Sequence, residues 1–507
     1  MGRNLSASHS RVRVAILAVT LGIALTATSL SSQATASARI GNPPLRSGQA
    51  SVDWQPCGEG DECATLLVPL DYSHPRGRTI ALALRRSPAM DPTRRIGSLL
   101  VNPGGPGVSG LELGRTLQAG ARGIAGELGA EVAARYDFIG FDPRGVGESN
   151  GVRCSSDLDA YFSSDVTPDD RAERESLVKS IREYVAACKR ESGAILPFVG
   201  TRNAARDLDR VRQAVGDERL FYLGYSYGTS LGTAYADQFP KRVGRLVLDG
   251  AIDPKLNGVQ LVRQQARSLE ESFDRFASEC AANPSCPFQS GGDPAGAYDR
   301  LMAQLDAQAL PAGNGRMLTA SQAAGGIATA LFNRADWPNI AEALAAAARG
   351  DGSRLLALFD EYEERSPDGT YTNVAAASNA VNCVDYRWPR GDAGYKALVT
   401  NIRAEAPRFG QAFAWEFLPC AYWGVSSSPT PKPKPVRTAP ILVAGTTGDP
   451  ATPYAWSEAL AAALPDSVLL TRNGEGHTAY LTSNRCIDDA VNNYLLTGTP
   501  PPAGTTC

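Results

Sequence analysis

A chain of 507 residues with 20% charged residues and a formal net charge of −3 is long enough to bury a large core. Acids and bases nearly balance, so the composition gives no reason to expect a nucleic acid or an anionic membrane as partner. Ten cysteines form an even set, and only three histidines are present to act as bases or ligands.

The N-terminus carries Arg3, Arg11 and Arg13, then an apolar run over 14–27 and small residues ending Ala36-Ser37-Ala38. This is the pattern of a secretory signal peptide, residues 1–38, cut after Ala38. The run is too short and too soon polar for a retained membrane helix. No cysteine stands at the cut, which speaks against a lipid anchor. A secreted, extracellular protein is expected, free or associated with the cell wall, and disulfides are the default in such a compartment. The cysteines fall into neighbouring couples, Cys57 with Cys63, Cys154 with Cys188, Cys280 with Cys286, Cys383 with Cys420, and Cys486 with Cys507. Pairing by proximity is the expectation. With no Cys-x-x-Cys and two histidines left after the cut, no metal site is expected.

After a loose segment to Gln55, short apolar runs alternate with helical periodicity. Residues 64–70, 79–86, 96–101 and 137–141 read as strands, and 111–128 as a helix. Residues 169–191 and 203–215 read as charged helices on the outside of a sheet. A strand over 220–223 runs into a helix through Leu231, Ala234 and Tyr235, and a strand over 243–248 follows. This alternation predicts an α/β fold, a mostly parallel central sheet with helices on both faces. Over 255–435 strand signals thin out, and helical stretches at 259–282, 321–332 and 339–348 dominate. An inserted helical cap is expected there, returning through the Pro-Lys-rich connector 426–435. Strand and helix then resume at 440–444, 455–464, 467–471 and 485–496. Residues 39–254 and 436–507 should therefore make one core in two parts.

Gly224-Tyr225-Ser226-Tyr227-Gly228, set between a strand and a helix, has the form of a nucleophile elbow. The tight turn strains Ser226 and lifts its hydroxyl clear of the sheet edge. The helix N-terminus there lets the Tyr227 N–H hold a developing oxyanion. Serine needs a base, and the base needs an acid to fix its tautomer. His74, beside Pro75 in a turn between early strands, reads as a surface residue. His477 lies in Asn473-Gly474-Glu475-Gly476-His477 just past the last strand, on the edge where an open parallel sheet builds its site. Asp449 supplies the acid in the order Ser, Asp, His. Asp249 and Asp253 are the alternatives, whereas Asp466 begins a strand and faces the other end. The Gly-Pro loop 102–107 would bring a second oxyanion donor, the N–H of Gly105. No metal or organic cofactor is required.

On VPLDY at 68–72, NPGGPG, GFDPRGVGES at 140–149, GYSYG, LDG at 248–250, GDPATP at 448–453, GEGHT and the cysteine-ended tail, the chain resembles the secreted tripeptidyl aminopeptidases of actinobacteria. These belong to the proline-iminopeptidase-like branch of the α/β-hydrolases. The resemblance implies a serine exopeptidase that releases short peptides, typically tripeptides, from free N-termini. Proline iminopeptidases carry His-Gly-Gly-Pro-Gly. Pro103 stands at the place of that histidine, which suits the tripeptidyl group and speaks against release of single prolines.

An aminopeptidase must recognise a protonated amine at a distance from Ser226, and a carboxylate under the cap is the natural device. Asp385, in Asn382-Cys383-Val384-Asp385, is the candidate, positioned by a Cys383 bridge. The expected partners are peptides with a free N-terminus, with no nucleic acid and no stable membrane insertion. A monomer is the default. A carboxylesterase on the same machinery is the nearest alternative. A non-catalytic binding protein of this fold would be favoured had Ser226 or His477 been missing.

Overall fold

The computed structural model describes residues 52–507 apart from 124–125, 155–156, 426–427, 430–432 and 435. The expected signal peptide, most of the loose segment before Gln55 and part of the Pro-Lys connector lie outside the described residues.

Nine strands form one sheet: β1 (Gln55–Gly58), β2 (Asp61–Pro69), β3 (Thr79–Ser87), β4 (Gly97–Asn102), β5 (Tyr136–Phe141), β6 (Leu220–Tyr225), β7 (Val243–Asp249), β10 (Ile441–Gly448) and β11 (Ser467–Glu475). A separate hairpin pairs β8 (Leu310–Pro311) with β9 (Met317–Leu318). The sheet order is β1-β2-β3-β5-β4-β6-β7-β10-β11. The first three strands and β5 pair antiparallel, and the strands from β5 to β11 in that order run parallel. Parallel neighbours need a crossover, usually a helix. The helix Tyr227–Gln238 carries β6 to β7, and Tyr454–Ala463 carries β10 to β11.

Strand residues alternate between two cores, because successive side chains leave a strand on opposite faces. Leu100, Leu246, Leu248 and Val443 pack with Leu208, Leu231 and Leu460 of helices on one face. Their immediate neighbours Leu99, Val101, Val247 and Leu442 pack with Leu117, Val132 and Val491 on the other. That is why these strands read as continuous apolar runs rather than as alternating ones.

Between β7 and β10 lie the helices Gly258–Ala282, Pro294–Ala307, Ala320–Ala330, Trp337–Ala347, Ser353–Tyr362, Val374–Asp385 and Gly391–Arg403, with two shorter ones, Gly410–Glu416 and Pro419–Tyr422. Several of them close around a core of their own that includes Phe273, Phe276, Ile327, Ile340 and Leu356. The insert also grips the sheet. Asn373 accepts from the Gly147 N–H and donates to the carbonyls of Gly145 and Val152.

The expected helix over 111–128 is two helices, Leu113–Gly123 and Gly126–Arg135. Gly126, at φ +68°, lies in a left-handed conformation that an α-helix cannot continue through. Strand β1, for which the sequence gives no strand signal, is exposed along its whole length and so carries no apolar pattern. All five expected cysteine couples are disulfides. Among the described residues no helix is long and apolar enough to cross a membrane.

One ion pair sits wholly inside. Arg144 and Asp207 are both fully buried, and two guanidinium nitrogens donate to the carboxylate at 2.6 Å each. The remaining N–H groups reach the carbonyls of Pro69, Leu70 and Phe198, and the Tyr72 hydroxyl donates to Asp207 at 2.6 Å. Every donor is used, which is the condition under which a buried pair is tolerated. Removing one partner strands the other charge. Arg144→Met should lower stability by about 3–5 kcal/mol, read as a fall in the urea midpoint at unchanged slope. Adding Asp207→Leu should recover most of that loss.

Candidate active site

Strand β6 passes into the helix Tyr227–Gln238 through the single residue Ser226. Its φ of 53° and ψ of −121° are rare for a residue with a side chain, and such strain costs about 1–3 kcal/mol. The surroundings hold it there. The Ser226 N–H donates to the Asp249 carbonyl at 2.9 Å, and the Ser226 carbonyl accepts from the N–H and hydroxyl of Thr229 at 2.8 and 2.6 Å. The turn closes so tightly that a Cβ on Gly224 would stand 2.5 Å from the Gly228 carbonyl oxygen.

The Gly-Pro loop is pressed onto this turn. A Cβ on Gly104, whose φ is +103°, would lie 2.8 Å from Ser226 Cβ and 3.2 Å from the Tyr227 nitrogen. The Gly104 N–H is taken by Asn102 Oδ1 at 3.1 Å. Among the described residues the N–H groups of Gly105 and Tyr227 have no acceptor. Two free donors beside a serine at a helix N-terminus can stabilise negative charge as it forms on a carbonyl oxygen.

Asp449 follows β10 and is 1% exposed. Its carboxylate accepts from the N–H groups of Ala451 and Thr452 at 2.8 Å each, from the Thr478 N–H at 3.2 Å and from the Thr452 hydroxyl at 2.9 Å. His477 Nδ1 lies 3.0 and 2.9 Å from its two oxygens. A proton on Nδ1 directed at the carboxylate leaves Nε2 free to act as base. The His477 N–H donates to the Phe332 carbonyl of the insert at 2.6 Å.

Burial alone would lower the imidazole pKa. The charge of Asp449, the hydrogen bond to it and the charge of Asp249 outweigh burial and raise it above 6.5. Asp249 is itself fully buried, and burial pushes its carboxyl up to about 6 against the N–H groups of Ala479 and Tyr480 that it accepts. This residue makes no hydrogen bond to the imidazole, yet it fixes the segment that follows it.

His477 and Ser226 meet the same strand end. A Cβ on Gly250, just past β7, would stand 3.1 Å from His477 Cε1, and Ser226 is bonded to Asp249 next door. Ser226 Oγ and His477 form no hydrogen bond among the described residues. Such contacts are often long in unliganded enzymes and tighten with substrate.

Asp385 already has partners within the protein. Its carboxylate accepts the Thr201 N–H at 3.0 and 3.2 Å and also the Thr201 hydroxyl, at the first turn of the helix Thr201–Ala214. It lines a cavity with Thr201 and Tyr386, apart from the one that contains Gly105. A carboxylate already committed to a helix N-terminus is poorly placed to greet a substrate amine. His74 is an exposed residue whose Nδ1 meets Asp71 at 2.8 Å, as a surface turn would have it.

Thr452 and the clamping role of Asp249 were missed from sequence. The spacing Asp449-Pro450-Ala451-Thr452 could have shown the first, because an aspartate readily accepts from N–H groups two and three residues ahead.

The family described as TAP-like protein matches residues 406–507. Serine protease Hip1 of Mycobacterium tuberculosis is 38% identical over 510 residues, covering 93% of this chain and 93% of that protein. Carboxylesterase B of the same species is 35% identical, over 88% of this chain and 86% of that one. Tripeptidyl aminopeptidase of Streptomyces lividans is 32% identical, over 91% and 87%. With a parallel sheet, a strained serine at the turn after β6 and relatives of this extent, the chain belongs to the tripeptidyl aminopeptidase-like family of serine hydrolases with the α/β-hydrolase fold.

Proposed function

We propose that this chain is a secreted serine exopeptidase that releases tripeptides from free N-termini. Ser226 Oγ attacks the scissile carbonyl while His477 Nε2 takes its proton, and Asp449 holds the imidazole through Nδ1. The oxyanion is met by the N–H groups of Gly105 and Tyr227. The imidazolium then protonates the leaving amine, an acyl-enzyme remains, and water repeats the sequence to free the peptide. The observation that carries this reading is the bond of His477 Nδ1 to buried Asp449 at 2.9 Å, beside the strand end that also holds Ser226.

The restriction to chain ends is supported by the insert, which we assign as a cap over 255–435. A Cβ on Gly107 would stand 2.5 Å from the Val374 carbonyl oxygen and 2.8 Å from the Ser378 nitrogen, so the helix Val374–Asp385 rests directly on the Gly-Pro loop. A roof at that place leaves room for a few residues on the acyl side. Export is supported by the five disulfides and by the N-terminal pattern of arginines, apolar run and small residues.

The aromatic lining of the cavity beside Gly105 favours a second reading, a carboxylesterase on the same machinery. Mass spectrometry of products from one peptide, with its N-terminus free and acetylated, separates them. Three-residue fragments from the free form alone are expected. Turnover of short nitrophenyl esters with no peptide product would overturn the peptidase.

The base must be neutral to accept a proton, and its pKa is raised. Activity should therefore fall as pH drops through a value above 6.5, seen as the acidic limb of kcat/KM. Asp449→Asn removes the charge that raises it. That variant should lose about 10⁴ in kcat, and the acidic limb of its residual activity should move to lower pH.

A further inference from the structure

Thr201, Tyr227 and Asp385 come from three separate stretches of chain, and all are buried, at 1%, 6% and 7% exposure. Thr201 opens the core helix Thr201–Ala214, Tyr227 opens the helix that follows Ser226, and Asp385 closes the insert helix Val374–Asp385. The Thr201 hydroxyl donates to Asp385 Oδ2, and its oxygen lies 2.6 Å from the Tyr227 hydroxyl. A hydroxyl has one proton to give. Thr201 gives it to the carboxylate, so the phenol must donate to Thr201 Oγ1. A directed chain therefore runs from the Tyr227 O–H through Thr201 to Asp385. Among the described residues the phenol makes no other hydrogen bond.

Tyr227 also carries an oxyanion donor on its backbone. Its ring is packed in the core, so the hydroxyl at one end has little freedom to move without the N–H at the other. The second donor, Gly105, answers to the same insert helix. Two residues further on, a Cβ on Gly107 would meet the Val374 carbonyl oxygen and the Ser378 nitrogen at 2.5 and 2.8 Å. The first turns of the helix Val374–Asp385 thus bear on the Gly-Pro loop, and its last residue holds the chain that ends on Tyr227. The helix is itself tied down near both ends. Asn373 is bonded to Gly145, Gly147 and Val152, and Cys383 is bridged to Cys420. An oxyanion hole needs its donors at hydrogen-bond distance from one oxygen. A single fixed helix in touch with both loops sets that spacing.

We propose that Asp385 and Thr201 are positioning residues for the oxyanion hole, acting through the Tyr227 hydroxyl on the Tyr227 N–H, with the helix Val374–Asp385 as the common support of both donors. The inference rests on the assignment of Ser226, Gly105 and Tyr227 to acyl transfer, and not on whether the acyl group is a peptide or an ester. Asp385 takes part in the reaction without touching the substrate.

The test measures nitrophenyl acetate turnover per active site, with sites counted by a fluorophosphonate and folding followed by the thermal midpoint. Asp385→Ala also uncaps the helix Thr201–Ala214, so Thr201→Val and Tyr227→Phe are the deciding variants. Each removes one hydroxyl and leaves the bond from the Thr201 N–H to Asp385 in place. Each should lower kcat about tenfold, short of the full loss of a donor, with KM held within about twofold. The double variant should lose no more than either single one, because both break the same chain. Thr201→Ser, which keeps the hydroxyl, should bring kcat back to within about twofold of the unaltered enzyme. Side chains that serve stability alone would lower the thermal midpoint and leave kcat per site unchanged, and that result overturns the inference. So do losses that multiply in the double variant, or a loss confined to KM. Turnover that survives Ser226→Ala overturns the site assignment itself, an outcome read with Thr201 and Tyr227 intact.

Discussion

The strained backbone of Ser226 is the constraint on which the rest of the site depends. A residue at φ 53° returns to a relaxed conformation unless its neighbours forbid it. Here the Thr229 hydroxyl bonds back to the Ser226 carbonyl and accepts the Ile252 N–H, while Asp249 accepts the Ser226 N–H. Asp249 and Ile252 lie at the end of β7 and just after it, so the register of β6 against β7, Tyr225 opposite Asp249, decides whether the turn can hold. Asp249 does two things at once. Its carbonyl holds the backbone of Ser226, and its carboxylate holds Ala479 and Tyr480 just past His477. One residue at a strand end therefore couples two loops that are far apart in sequence.

Buried charge is handled in two ways in this protein. Arg144 and Asp207 are satisfied at every donor and tie the end of β2 to the helix Thr201–Ala214. Asp449 is satisfied too, but its donors are divided between its own loop and the imidazole, so its charge is stabilised and still directed.

Much of the fold was legible because parallel strands buried on both faces leave short apolar runs that cannot be mistaken for surface. The elbow was legible because Gly224 and Ser226 serve a local geometry that the pentapeptide states by itself. Long-range facts were harder. Asp385 was judged by its closeness to Cys383 in sequence, and nothing local says that its side chain turns toward Thr201. Strand β1 offered no pattern because it buries nothing.

The insert is bonded to the catalytic loops, not laid over them. Phe332 accepts the N–H of His477 itself, Ser268 donates to the Asp449 carbonyl at 2.7 Å, and Gln265 donates to the Ala451 carbonyl at 3.0 Å. A swing of the insert as one body would break all three and release the loops of Asp449 and His477 with it. Movement of the insert that spares these bonds is local, with the helix that carries Gln265 and Ser268 and the turn at Phe332 staying in place. Three bonds of this kind hold the insert rigidly against the loops of Asp449 and His477.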